Sequence, residues 1–125
     1  MNIQEKMKAV LLETAEYYKA DPTRVAKDHK GLCSYLDESG RMCAVGRCLI
    51  DPGRLNNKLG AGIESLIADE SLTQEDFKSE YRGLPTIFWV YLQALHDCAD
   101  WEDPTQIDRR VSNFLSNINS GLYGK

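Results

Sequence analysis

Three of the four cysteines in this 125-residue chain, Cys33, Cys43 and Cys48, fall within the stretch 31–51, GLCSYLDESGRMCAVGRCLID. With Cys98, His29 and His96 they supply the donor atoms that zinc takes. Their spacing does not match a zinc ribbon or finger, because no Cys-x-x-Cys pair is present. His96 and Cys98 stand two positions apart, on different faces of any helix that carries them. The cysteines are therefore expected to be reduced and mostly buried as small hydrophobes, without metal. A second chemistry would use Cys43 as a nucleophile at a helix N-terminus, where the dipole lowers a thiol pKa, with His96 as base. No third group that would orient His96 is evident in the sequence. A small cysteine/histidine enzyme or zinc protein centred on Cys43 and His96 is therefore the alternative reading. Neighbours on a helix project roughly 100° apart, so His96 and Asp97 are not expected to form a catalytic dyad.

Arg41, Arg47 and Arg54 follow Tyr35 closely, and arginine and tyrosine are the side chains best able to anchor a partner or an anion. The step Ala44-Val45-Gly46-Arg47 has the composition of a helix N-terminus that holds phosphate. Phosphate-cradling loops normally carry several glycines, so Gly46 is read instead as allowing close packing. These four residues, Tyr35, Arg41, Arg47 and Arg54, form the candidate binding site. No catalytic residue is assigned.

Helices and one hairpin have to position these groups. Asn2-Ile-Gln-Glu5 reads as a capping box, and Ile3, Met7, Val10, Leu11 and Tyr18 recur at helical spacing, which predicts a helix over 3–20. Asp21-Pro22 opens a short helical turn to about Lys27. Two short strands, 32–36 and 41–45, are expected around Asp37-Glu38-Ser39-Gly40, with Gly40 supplying the positive φ of a hairpin. From Ala44 the chain is expected to turn helical to about Ile50, before Asp51-Pro52-Gly53 breaks it. His96 is expected to hydrogen-bond the start of the hairpin, and Asp97 to cap or to pair with an arginine.

Gly60 and Gly62 weaken any continuous helix over 54–72. Thr73-Gln-Glu-Asp76 signals a short helix to about Tyr81. The segment 85–99 is apolar nearly all round, which predicts a central buried helix with Phe88, Tyr91, Leu92 and Leu95 as its stripe. Trp89 and Trp101 are read as mostly core, or else as an exposed patch for a partner. Asp103-Pro104 caps a last helix over 104–120, whose stripe is Ile107, Val111, Phe114, Leu115 and Ile118. With only a short connection between them, the last two helices are expected to pack antiparallel. The expected fold is one α+β domain over 1–125, α-rich, with a small antiparallel hairpin packed on helices. Its expected core includes Leu11, Val45, Phe88, Leu92, Leu95, Val111 and Leu115.

Composition excludes several classes. Net charge is −4, split as ten Lys/Arg against eight Asp/Glu in 1–60 and five against eleven in 61–125. A duplex-DNA binder would be more basic, so no duplex DNA is expected. No apolar run reaches the ~20 residues of a membrane span. Glu5, Lys6 and Lys8 interrupt any signal-peptide core, so a cytoplasmic location is expected.

Several pieces carry a resemblance: Cys33-Ser-Tyr35, Gly40-Arg-Met-Cys43-Ala-Val-Gly46, Leu49-Ile50-Asp51, Leu92-Gln-Ala-Leu-His96-Asp97 and Trp101. In this order they resemble an uncharacterised family of small bacterial and bacteriophage proteins. That family's pattern is a Cys-Ala-Val/Ile-Gly step from hairpin to helix, then Leu-Ile-Pro-Asp, then a Leu-Gln-x-x-His-Asp helix. Here Leu49-Ile50-Asp51-Pro52 departs from it, which leaves that turn open to differ. The resemblance implies a phage or mobile-element setting and no activity to carry over. The expected function is a non-enzymatic, phage-type accessory protein. It would bind a host protein or sequester a small anionic ligand, with anti-defence as one role, without a cofactor.

Overall fold

A computed structural model describes residues 2–25, 40–53 and 63–124. Four α-helices organise them: α1 (Ile3–Ala20), α2 (Ile63–Ala68), α3 (Thr86–Cys98) and α4 (Pro104–Asn119). Local signals set most of their ends. The Asn2 side chain accepts from the Glu5 N–H at 2.9 Å, and Asp103 accepts from the Gln106 N–H at 3.2 Å, each satisfying an amide that the helix leaves over. After α4, Gly121 adopts φ 81°, and the Leu122 N–H reaches back to the Asn117 carbonyl at 3.1 Å. That is a left-handed helix stop, which glycine adopts without steric cost.

The α+β expectation is not met. Among the described residues there is no strand, only two isolated bridges, Val25 with Met42 and Leu49 with Phe77. The first expected strand, 32–36, lies outside the described residues. The second, 41–45, coils. The Cys43 carbonyl accepts from the Arg47 N–H at 2.9 Å, and the chain runs through Ala44 and Val45 into a 3-10 turn, Gly46–Cys48. The reason is burial: every residue from Cys43 to Leu49 is buried, whereas a hairpin strand would turn alternate side chains to water. Gly40 does adopt the positive φ expected of it, 82°. The expected helix from Ala44 to Ile50 is reduced to that one turn. The helix expected after Thr73 is likewise two 3-10 turns, Gln74–Asp76 and Ser79–Tyr81. Between them Phe77 extends to pair with Leu49.

All four helices contribute to one core. Leu11, Val45, Phe88, Leu92 and Leu95 are buried in it as expected. Val111 and Leu115 are only half-buried, and α4 inserts Ile107, Phe114 and Ile118 instead. Trp89 and Trp101 are both buried. Tyr91, expected in the buried stripe of α3, is exposed. Among the described residues the most extensive helix contacts are α1 with α4 and α2 with α3. α3 and α4 meet through side chains such as Phe88 and Phe114, with ring centroids 5.7 Å apart. Among the described residues no helix is long and apolar enough to cross a membrane.

Candidate functional site

The segment that coils at Cys43 decides the fate of Arg47. The turn carries its side chain inward, where only 9 % of the residue stays exposed. Nη1 donates to Glu13 Oε1 at 2.7 Å and Nη2 donates to Thr14 Oγ1 at 2.9 Å. Nη1 also reaches the Tyr81 hydroxyl at 3.3 Å, and the guanidinium lies over the rings of Tyr17 and Tyr81. The Tyr81 hydroxyl in turn donates to Glu13. Arg47 thus ties α1 to two turns, and the rigid fork of its guanidinium lets one side chain do so.

Burial pushes the Tyr81 hydroxyl up to about 12, helped by its bond to Glu13, so it stays a donor at neutral pH. Burial also works to raise Glu13. The hydrogen bonds from Tyr81 and Arg47 and the charge of Arg47 outweigh it, leaving the carboxyl below its ordinary value of 4.5. A depressed folded-state pKa adds stability above the unfolded value, and that stability is lost as pH falls through the folded value. Thermal unfolding of the native chain is therefore expected to fall more steeply from about pH 5 to about pH 3 than that of Glu13→Gln. Parallel acid limbs would show that Glu13 is not linked to folding.

The thiols are mostly withdrawn. Cys43 is fully buried, and its Sγ accepts from the Gly46 N–H at 3.3 Å. Cys48 is fully buried as well, and burial pushes its thiol up to about 12 against the pull of Arg47. Such a thiol is a poor nucleophile at neutral pH. Cys98 is exposed. In a Cys33→Ser background, Cys98 is expected to react with a maleimide at once, and Cys43 and Cys48 only as the protein opens. Mass spectrometry of the labelled chain checks this, and three equally fast thiols would refute it. Among the described residues no group of three or more His, Cys, Asp or Glu side chains could hold a metal ion. Cys33 and His29 lie outside the described residues, as do Tyr35 and Arg54.

His96 and Asp97 do meet, against the sequence expectation. His96 Nδ1 lies 2.9 Å from Asp97 Oδ1, and Gln93 Nε2 donates to the same oxygen at 3.1 Å. The roughly 100° between neighbours governs where side chains start, not where the tips of adjacent long side chains finish. Gln93, one turn earlier, curls the Asp97 carboxylate back along the helix. A carboxylate only accepts, so His96 carries its proton on Nδ1. The ring packs edge-on to Tyr18 with centroids 5.0 Å apart, and Trp101 Nε1 donates to the His96 carbonyl at 3.0 Å. With 1 % of the residue exposed, His96 is held in an orientation a general base would use, yet is closed to solvent.

His96 and Asp97 form one wall of a cleft of about 280 Å³, which Arg41, Asp100, Trp101 and Glu102 also line. The structure therefore brings Arg41 to His96 and separates it from Arg47. Sequence reasoning missed Asp100 and Glu102 as site residues and set Asp97 aside as an ordinary cap or ion-pair partner. The available signal was the spacing of Gln93 to Asp97, i to i+4 on one helix face. Comparison of the chain with protein-family models, with curated proteins and with solved structures gives no match.

Proposed function

We propose that the chain is a non-enzymatic binding protein that takes a basic segment of another protein in the cleft lined by Arg41 and Asp97. The observation that carries this reading is the sign of the charge there. One arginine faces three carboxylates, Asp97, Asp100 and Glu102, around an apolar floor containing Val25 and Trp101. Small anions are poorly served by that lining, and Arg47 is engaged with Glu13 inside the protein. A lysine or arginine of a partner would meet the carboxylates of Asp100 and Glu102. The resemblance described above implies a phage or mobile-element setting, in which the partner would be a host factor and anti-defence one role.

The test is quantitative capture from host lysate with the native chain and with Asp100→Lys/Glu102→Lys. A host protein held by the native chain is expected to fall about tenfold on the double variant, at an unchanged melting temperature. Its retention should also weaken with added salt. Equal recovery on both proteins, or no protein specific to the native chain, would overturn the reading.

A further inference from the structure

A second opening lies between α3 and α4 and shares no lining residue with the cleft at Arg41. From α4 it is lined by Arg110, Asn113, Phe114 and Asn117, a single stripe at i, i+3, i+4 and i+7. On a helix that packs against its neighbour, such a stripe is apolar. Here three of the four residues are polar, and the two helices are held apart with a groove of about 250 Å³ between them.

The opposite side is aromatic. Tyr91 stays 46 % exposed, and Tyr123 closes one end with its ring centroid 5.2 Å from that of Tyr91 and 5.3 Å from that of Phe114. A flat ring laid against Tyr91 would cover apolar surface that the protein itself leaves in water. The facing amides of Asn113 and Asn117 each offer donors beside an acceptor, which is what the edge of a heteroaromatic base requires. One Asn117 N–H already goes to the Tyr123 hydroxyl at 3.2 Å, which fixes that amide in place. Arg110 supplies a cation at the groove. Its Nε donates to Gln106 Oε1 at 3.3 Å, so the guanidinium is positioned while its terminal nitrogens remain to grip an anion. The volume of about 250 Å³ lies just below the roughly 300–1,000 Å³ of drug-sized sites, which suits a ligand about as large as a mononucleotide and not a larger one.

We propose that this groove binds a nucleoside monophosphate, with its base against Tyr91, its base edge on Asn113 and Asn117, and its phosphate on Arg110. This site is independent of the protein-binding cleft, and its test leaves that reading untouched. Isothermal titration of the full chain uses AMP, GMP, CMP and UMP, the four matching nucleosides, and inorganic phosphate. At least one nucleotide is expected to bind with one-to-one stoichiometry, its nucleoside about tenfold more weakly, and phosphate alone without saturation. Arg110→Ala should reduce the nucleotide to the affinity of its nucleoside. Asn113→Ala and Tyr91→Ala should each weaken both by about tenfold. Asn113 and Arg110 are exposed, so these variants keep the test decisive even if Tyr91→Ala lowers the melting temperature. No saturable binding of any of the four nucleotides at millimolar concentration would overturn the proposal. So would equal affinity for nucleotide and nucleoside, or binding that Asn113→Ala leaves unchanged.

Discussion

Replacing Trp89 with alanine is expected to lower stability by about 3–5 kcal/mol, the usual cost of deleting a large buried aromatic side chain. Trp89 is fully buried on α3. Its ring stacks on Phe77 with centroids 4.7 Å apart and planes 22° apart, and Phe88 packs edge-on with its centroid 5.4 Å away. Phe77 belongs to the segment that pairs with Leu49, so this one indole joins the central helix to the two irregular stretches of chain. Domains of this size are stable by roughly 5–15 kcal/mol, so the variant should sit close to unfolding. Trp89 Nε1 has no hydrogen-bond partner among the described residues, and a buried unpaired donor costs free energy. Trp89→Phe removes that donor and keeps a ring against Phe77, and it should cost clearly less than Trp89→Ala. Urea unfolding followed by circular dichroism gives both values. A loss below about 1 kcal/mol for Trp89→Ala would mean that the site is not packed.

Arg47→Ala carries the second large effect, about 2–4 kcal/mol, because it strips the network of Glu13, Thr14 and Tyr81 of the guanidinium that joins them. Glu13 is half-exposed and can take up water, which keeps the cost below that of a fully buried pair. Thr14 is fully buried and loses its donor outright. Arg47→Met retains the aliphatic stem and should recover part of the loss. Arg47→Lys should not restore the network, because one ammonium cannot span Glu13, Thr14 and Tyr81 with the geometry of a guanidinium. Read from the sequence, alanine at Arg41, Arg47 and Arg54 together should remove binding and spare the melting temperature. The structure separates these residues: Arg47→Ala should lower the melting temperature, and Arg41→Ala should leave it nearly unchanged. An unchanged melting temperature for Arg47→Ala would show that the network adds nothing to stability.

Local chemistry by itself determined α1, α3 and α4. A cap such as Asn2 or Asp103 and a repeat such as Phe88, Leu92 and Leu95 act within a few residues, so they can be read without knowing what packs where. The segment 40–53 could not be read in that way. The turn signal Asp37-Glu38-Ser39-Gly40 suggested a strand over 41–45, but the conformation there answers to burial against α1 and the turn at Tyr81, partners 34 residues away on either side of Arg47. Tertiary structure alone decided that Arg47 is a tie inside the protein and that Arg41 is at a cleft with Asp97. Sequence gives two arginines the same charge, and only their surroundings set whether that charge meets an internal carboxylate or a partner. The same holds for His96 and Asp97, whose contact depends on how Gln93 and the packing of Tyr18 and Trp101 fix two side-chain tips. Backbone periodicity places side-chain roots, and long-range packing places their ends.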